Sequence, residues 1–292
     1  MVHAWILLSL ICAFALATSD ALTKKTLVRS NEYLAAWFRL VFSLPLLLLI
    51  WTVVPTPKLD SAFYIAFILS LPLEIAAMIL YVKALKISPL SLTLPFLSLT
   101  PVLLIVVSYL ILGEKVSLQG SIGIVVLAAG GYALHFHEIR KGLWMPFKAI
   151  RREKGSLLMI AVAIIYSVTA TLGKMAIEHS SPLFFGVTYF CAGTVLFAPI
   201  ALWMGRNELK EFIFTGQYKK LFFPGLFYSI MIVSHMTALN LTKVAYMISV
   251  KRISLVIGVL YGYFLFRETN IGERVLGTLL MLTGFVLIVT AA

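Results

Sequence analysis

TKVAYMISVKRISLVIGVLYGYFLFRE, Thr242 to Glu268, is long enough to cross a bilayer and carries two cations inside its apolar run. A helix rises 1.5 Å per residue and needs about 20 apolar residues to span the hydrocarbon, so Lys251 and Arg252 lie roughly 12–15 Å in from the first residue. A cation at that depth costs roughly 2.5–3.5 kcal/mol in lipid. The pair therefore needs a place to point. Snorkelling to the nearer interface or bonding to carbonyls is one solution, and the cationic wall of a substrate cavity is the other.

Composition decides the class. Of 292 residues 61% are hydrophobic and 12% charged, at a mean hydropathy of +1.00, which excludes a water-soluble domain with a polar skin. The expectation is an all-α, polytopic membrane protein. The net charge of +12 comes with no basic tail and no nucleic-acid motif. Its Lys and Arg residues gather in short gaps between apolar runs, where they meet anionic headgroups of the lipid bilayer and set topology. Cys12 and Cys191 lie within apolar runs and read as packing residues.

Apolar runs cover Trp5–Leu22, Glu32–Val54, Ser61–Lys83, Pro89–Leu112, Leu118–His137, Ser156–Ile177, Pro182–Gly205, Leu221–Leu241, Lys243–Phe266 and Ile271–Ala292. No Lys or Arg precedes the first run, whereas Lys24, Lys25 and Arg29 follow it, so it reads as a retained helix rather than a signal peptide. Between the fifth and sixth runs, EIRKGLWMPFKAIRREKG mixes basic residues with Trp144, Met145 and Phe147, the composition of a stretch lying in the headgroup layer. The predicted division is a five-helix unit at 1–137, a basic interfacial connection at 138–155 and a second five-helix unit at 156–292.

The two units repeat. A shift of 154 residues matches Ala84-Leu85 to Ala238-Leu239, Tyr109 to Tyr263, Glu114 to Glu268, Gly123 to Gly277 and Gly130 to Gly284. The first helices align separately, Lys24 to Lys174 at a shift of 150. Five crossings per unit would set the units in opposite orientations, an inverted-topology repeat. These paired signatures, with Ala-Leu ending each third run, Glu at each fourth-to-fifth turn and glycines down each fifth run, resemble the two EamA domains of the drug/metabolite transporter superfamily. The resemblance implies ten transmembrane helices as two inverted repeats around a central cavity. It implies a transporter of small metabolites, without saying which.

Seventeen of the 24 Lys and Arg residues fall in the connections after the odd-numbered runs, against Lys58, Lys115, Lys174 and Lys243 on the opposite side. The positive-inside rule places the richer side in the cytoplasm of a cell (inner) membrane and both termini outside, the reverse of what the resemblance implies.

Other polar residues are placed by depth. Arg39 and Glu74 lie at similar distances from the basic face, so an ion pair between them is expected, either structural or with Glu74 coupling a proton or binding an amine. His235 lies at the depth of Lys251 and Arg252. Tyr246, Ser249 and Arg252 recur at spacings of three, which puts them on one helix face with Arg252 inward. The expected substrate-binding residues are thus Arg252, Lys251, Ser249, Tyr246 and His235. Tyr81 and Tyr261 are further candidates. Prolines 89, 95 and 101 predict a kinked fourth helix beside a polar cavity. Gly258 and Gly262 would support close helix packing or a homodimer seam.

Enzymatic motifs are weak. Gly120-Ser121-Ile122-Gly123 is no nucleophile elbow, His135–Glu138 fits no metal-binding spacing, and no Walker lysine motif occurs, so neither catalytic residues, a metal nor a cofactor is expected. The expected function is secondary transport by alternating access of a small polar solute, anionic or carboxylate-bearing because of Arg252, with export the expected direction. The rival is a non-transporting assembly or lipid-binding protein that keeps the fold.

Overall fold

The computed structural model describes residues 4–27, 31–87, 94–134, 154–266 and 275–292. Residues 138–153 of the predicted interfacial stretch, the His135–Glu138 group, Pro89 and Glu268 lie outside them, and the last two residues of that stretch, Lys154 and Gly155, belong to α6. The described residues are helical and contain no strand. The helices are α1 (Ala4–Leu27), α2 (Glu32–Trp51), α3 (Ser61–Ile87), α4 (Leu99–Leu112), α5 (Leu118–Ala133), α6 (Lys154–Glu178), α7 (Pro182–Met204), the short α8 (Leu209–Phe214), α9 (Phe222–Leu241), α10 (Val244–Lys251), α11 (Ser254–Phe266) and α12 (Val275–Ala291). Among the described residues seven spans are long and apolar enough to cross a membrane, with α10 and α11 together forming one of them, and three shorter apolar helices accompany them. Leu7, Ile68, Leu110, Val195 and Phe264 are among the large apolar side chains left exposed on the outside, as a lipid solvent permits.

Polar side chains start the helices where the sequence offers them. Asn31 accepts from the N–H groups of Tyr33 and Leu34 at the head of α2, Ser117 from Gly120 at α5, and Ser181 from Phe184 at α7, where Pro182 fills a position that needs no donor. Gly113 ends α4 at φ 69°, a left-handed conformation that glycine adopts without penalty.

Packing follows a pseudo-two-fold scheme. α1 lies along α9, and its counterpart pairing, α3 along α6, is equally extensive. α5 packs on α12 and α2 on α7, each pair joining an element to its own repeat mate. The α5–α12 crossing is built from the four glycines that the repeat aligns. A Cβ on Gly123 would meet the Gly284 carbonyl at 3.0 Å, and one on Gly130 the Gly277 carbonyl at 2.8 Å. As the number rises along α5 it falls along α12, so these mates run antiparallel. The two repeats therefore point in opposite directions.

One expected element differs. The ninth run, read as a single helix, breaks: the N–H groups of Arg252 and Ile253 bond three residues back to Ser249 and Val250 at 3.0 Å, and α11 begins only at Ser254. Stepping back 154 residues from Arg252 gives Ser98, the last residue of a 3₁₀ turn (Leu94–Ser98) that precedes α4. In each half the described part of the fourth run makes a tight turn at the same repeat position. Tight turns within a membrane helix open it where a ligand can be met.

Candidate functional site

Charged and phenolic groups from six helices gather inside the bundle in two levels. Asp20, Arg39, Tyr81 and Tyr228 each stand six or seven residues from the basic-face ends of α1, α2, α3 and α9, roughly 10 Å deep. Arg39 Nη1 lies 2.7 Å from Asp20 Oδ1, and its guanidinium carbon sits 4.5 Å from the centre of the Tyr228 ring. Tyr81 is within electrostatic reach of both charges.

At mid-depth, Glu74 of α3 and Tyr166 of α6 face each other, and the Thr169 hydroxyl stands beside the Glu74 carboxyl. Cys12 and His235 stand at a similar depth, 15 and 13 residues from the same ends of α1 and α9, and Lys251 and Arg252 lie at the α10–α11 break. Lys251 is within electrostatic reach of Glu74, Cys12 and Arg252, while Arg252 reaches Tyr166 and Tyr81. Among the described residues neither cation forms an ion pair or a side-chain hydrogen bond. Arg252 Nε and His235 Nδ1 are buried without a partner. Yet Glu74, Tyr81, Tyr166, Tyr228, His235, Lys251 and Arg252 are only half-buried, so these groups wall a space rather than a packed core.

The expected pair of Arg39 with Glu74 does not form. α3 continues to Ile87, one turn past its predicted end, which sets Glu74 about 6 Å deeper than the sequence placed it. Asp20, on a first helix that runs on to Leu27, stands at the level of Arg39 and takes it. Tyr246 and Ser249 are also displaced from the expected wall. Ser249 is fully buried and donates to the Ala245 carbonyl at 2.6 Å. Tyr246 is 1% exposed, 3.1 Å from Ser117 Oγ, with its ring over Gly120, where a Cβ would collide with it. The face that links them to Arg252 ends with the helix at Lys251. Tyr261 bonds Thr18 at 2.7 Å, and Gly258 has no atom within 4 Å of where a Cβ would stand.

The end of the bundle away from the basic face is stitched by polar contacts. Glu114 Oε2 accepts the Val244 N–H at 2.9 Å, Asp60 Oδ2 lies 2.7 Å from His179 Nδ1, and Lys174 Nζ donates to the last carbonyls of α9, 2.8 Å from that of Leu239. The first two join opposite repeats. The third places a cation on a helix C-terminus, the electrostatically favoured site. Burial raises the Glu114 carboxyl above its ordinary range, against the Val244 bond and the pull of Lys174. Hydrogen bonds from the Phe63 N–H and from His179 lower that of Asp60.

Asp20, Tyr166 and Tyr228 were not marked as site residues by the sequence. Depth was the available signal: each lies well inside an apolar run once the helix ends are known.

Residues 3–135 and 153–290 each match the model of the EamA-like transporter family. The chain belongs to that family. It is an integral multi-pass membrane protein of the EamA type, within the drug/metabolite transporter superfamily, and the EamA family is one of transporters rather than enzymes. A solved crystal structure, described only as that of a protein, shares the EamA fold of this chain at a TM-score of 0.74 and 14% identity, covering 97% of this chain and 95% of the other. No curated protein matches the chain in sequence.

Proposed function

We propose that this EamA-like protein is a secondary transporter that carries a small polar solute bearing negative charge, a carboxylate or phosphate, across a cell membrane by alternating access. The observation that carries the reading is Lys251 beside Arg252, deep in the bundle, half-exposed to an interior space and free of any carboxylate partner among the described residues. Intramembrane cations left unpaired are costly and mark solute pathways. A guanidinium adds a fork that grips a carboxylate or phosphate through two parallel hydrogen bonds. The tight turns at the equivalent positions Ser98 and Arg252 supply points about which one repeat can rock against the other.

Proteoliposomes loaded with labelled carboxylates, phosphate esters or amines test the reading, and loading inside or outside reads the expected export direction. Transport restricted to anions, much weakened in Arg252→Lys and nearly lost in Arg252→Ala, is the expected outcome. Transport of a simple cation, or full activity in Arg252→Ala, overturns it. No solute moved in any arm favours the non-transporting alternative. The charge bias supports a cytoplasmic basic face. A single cysteine at Lys148, in a background lacking Cys12 and Cys191, should resist a membrane-impermeant thiol reagent applied to intact cells.

A further inference from the structure

Among the described residues, three ionisable groups outside an ion pair face the inner space from two elements of opposite repeats: Lys251 and Arg252 at the α10–α11 break, and Glu74 on α3. The remaining ionised pair, Asp20 with Arg39, closes on itself at 2.7 Å and contributes no net charge. Tyr81, Tyr166, Tyr228 and His235 complete the wall and are counted neutral. Glu74 forms no ion pair among the described residues, although it is within electrostatic reach of Lys251. The Thr169 hydroxyl from α6 stands beside it instead. A carboxylate placed near a cation but not spent on it leaves that cation able to take a ligand while subtracting one charge from the chamber. With all three ionised, these described groups sum to one net positive charge.

We propose that Glu74 is a specificity-determining residue that makes the chamber selective for solutes of single negative charge. This rests on the anion reading above and narrows it. A monoanion brings the chamber to neutrality. A dianion leaves one uncompensated negative charge away from water, next to the Glu74 carboxylate. Removing that carboxylate without changing its shape raises the chamber to two positive charges and moves the match to dianions.

The test uses monomethyl succinate and succinate, which differ by one charge on the same carbon frame. Affinities come from ligand-induced thermal stabilisation of the purified full-length protein at pH 7.5. The native protein should favour the monoester by about tenfold, a charge discrimination of roughly 1.4 kcal/mol. Glu74→Gln should reverse or abolish that ratio. Glu74→Asp, which keeps the charge, should hold it. Because the readout is a ratio within each variant, a general loss of stability does not mimic the result. Binding of both anions with an unchanged ratio in Glu74→Gln overturns this inference and leaves the anion reading standing. A native protein stabilised by neither anion, or Arg252→Ala binding both as well as the native protein, overturns the anion reading and this inference with it.

Discussion

The carboxylate of Glu114, at the turn between α4 and α5, accepts the N–H of Val244, at the head of α10 in the other repeat, at 2.9 Å. It thereby satisfies one of the donors that a helix start leaves free, and does so half-buried between the repeats. Glu114→Ala should lower stability in detergent by about 1–3 kcal/mol, the cost of an unmet buried donor. Glu114→Gln should lose less. Thermal unfolding of the two variants decides the matter.

The same residue has a pH signature. Its folded carboxyl is raised by burial, so the folded state holds the proton more tightly than the unfolded one. Its contribution is fully present below the unfolded pKa and is lost as pH rises through the folded one. Glu114→Gln should flatten stability across that window, measured as unfolding midpoint against pH. A midpoint that still declines as steeply in the variant would remove Glu114 as the cause.

Asp60 carries the opposite sign. It caps α3 through the Phe63 N–H at 3.0 Å, meets His179, and is lowered below its ordinary 3.8. Its stabilisation is present above the unfolded pKa and lost as pH falls through the folded one. Asp60→Asn should lower stability at neutral pH and flatten the acid-side loss, since the carboxylate's contribution is then absent at every pH. An acid limb unchanged in the variant refutes the assignment.

Arg39 and Asp20 should couple, and Arg39 and Glu74 should not. In double-mutant cycles with Asp20→Asn and Arg39→Gln, the coupling expected for a partly exposed pair is about 1 kcal/mol, whereas Glu74→Gln with Arg39→Gln should be additive to within about 0.5 kcal/mol. Coupling in the second cycle would mean that α3 stands shallower than described.

Glycines divide by what surrounds them. An alanine methyl at Gly130 would stand 2.6 Å from the Met281 backbone nitrogen, which cannot yield without moving α12. Gly130→Ala should therefore cost about 1–3 kcal/mol or more by overpacking. Gly258→Ala, with nothing within 4 Å, should be nearly neutral unless that face meets another molecule. Unfolding midpoints of the two variants side by side make the comparison.

Much of the fold was legible because hydropathy reports crossings and the repeat reports symmetry. The described part of each of the ten runs is largely helical, the ninth with its break, and the aligned glycines meet across one seam. Lys251, Arg252, Glu74 and His235 were found because a polar group deep in an apolar run stands out. What failed were contacts that depend on where a helix stops. α1 and α3 each run past their predicted ends, Leu22 and Lys83, and that excess length exchanges Glu74 for Asp20 as the partner of Arg39. The face drawn from Tyr246 to Arg252 assumed 100° per residue through a point where the helix breaks. Tyr166 and Tyr228 carry no charge, so among 12 tyrosines nothing but depth could single them out.

The α5–α12 seam has the geometry of an isologous contact, in which a patch meets its own copy: position 123 touches 284 and position 130 touches 277, while 277 and 284 are the repeat images of 123 and 130. Such an interface is what a two-fold dimer forms between identical subunits. Here the two copies differ at interior positions, with Arg252 in the place of Ser98 and His235 in the place of Tyr81, yet they still close on each other as a subunit closes on its twin. The molecule is a homodimer in its scaffold and a heterodimer in its chamber, held in one covalent chain.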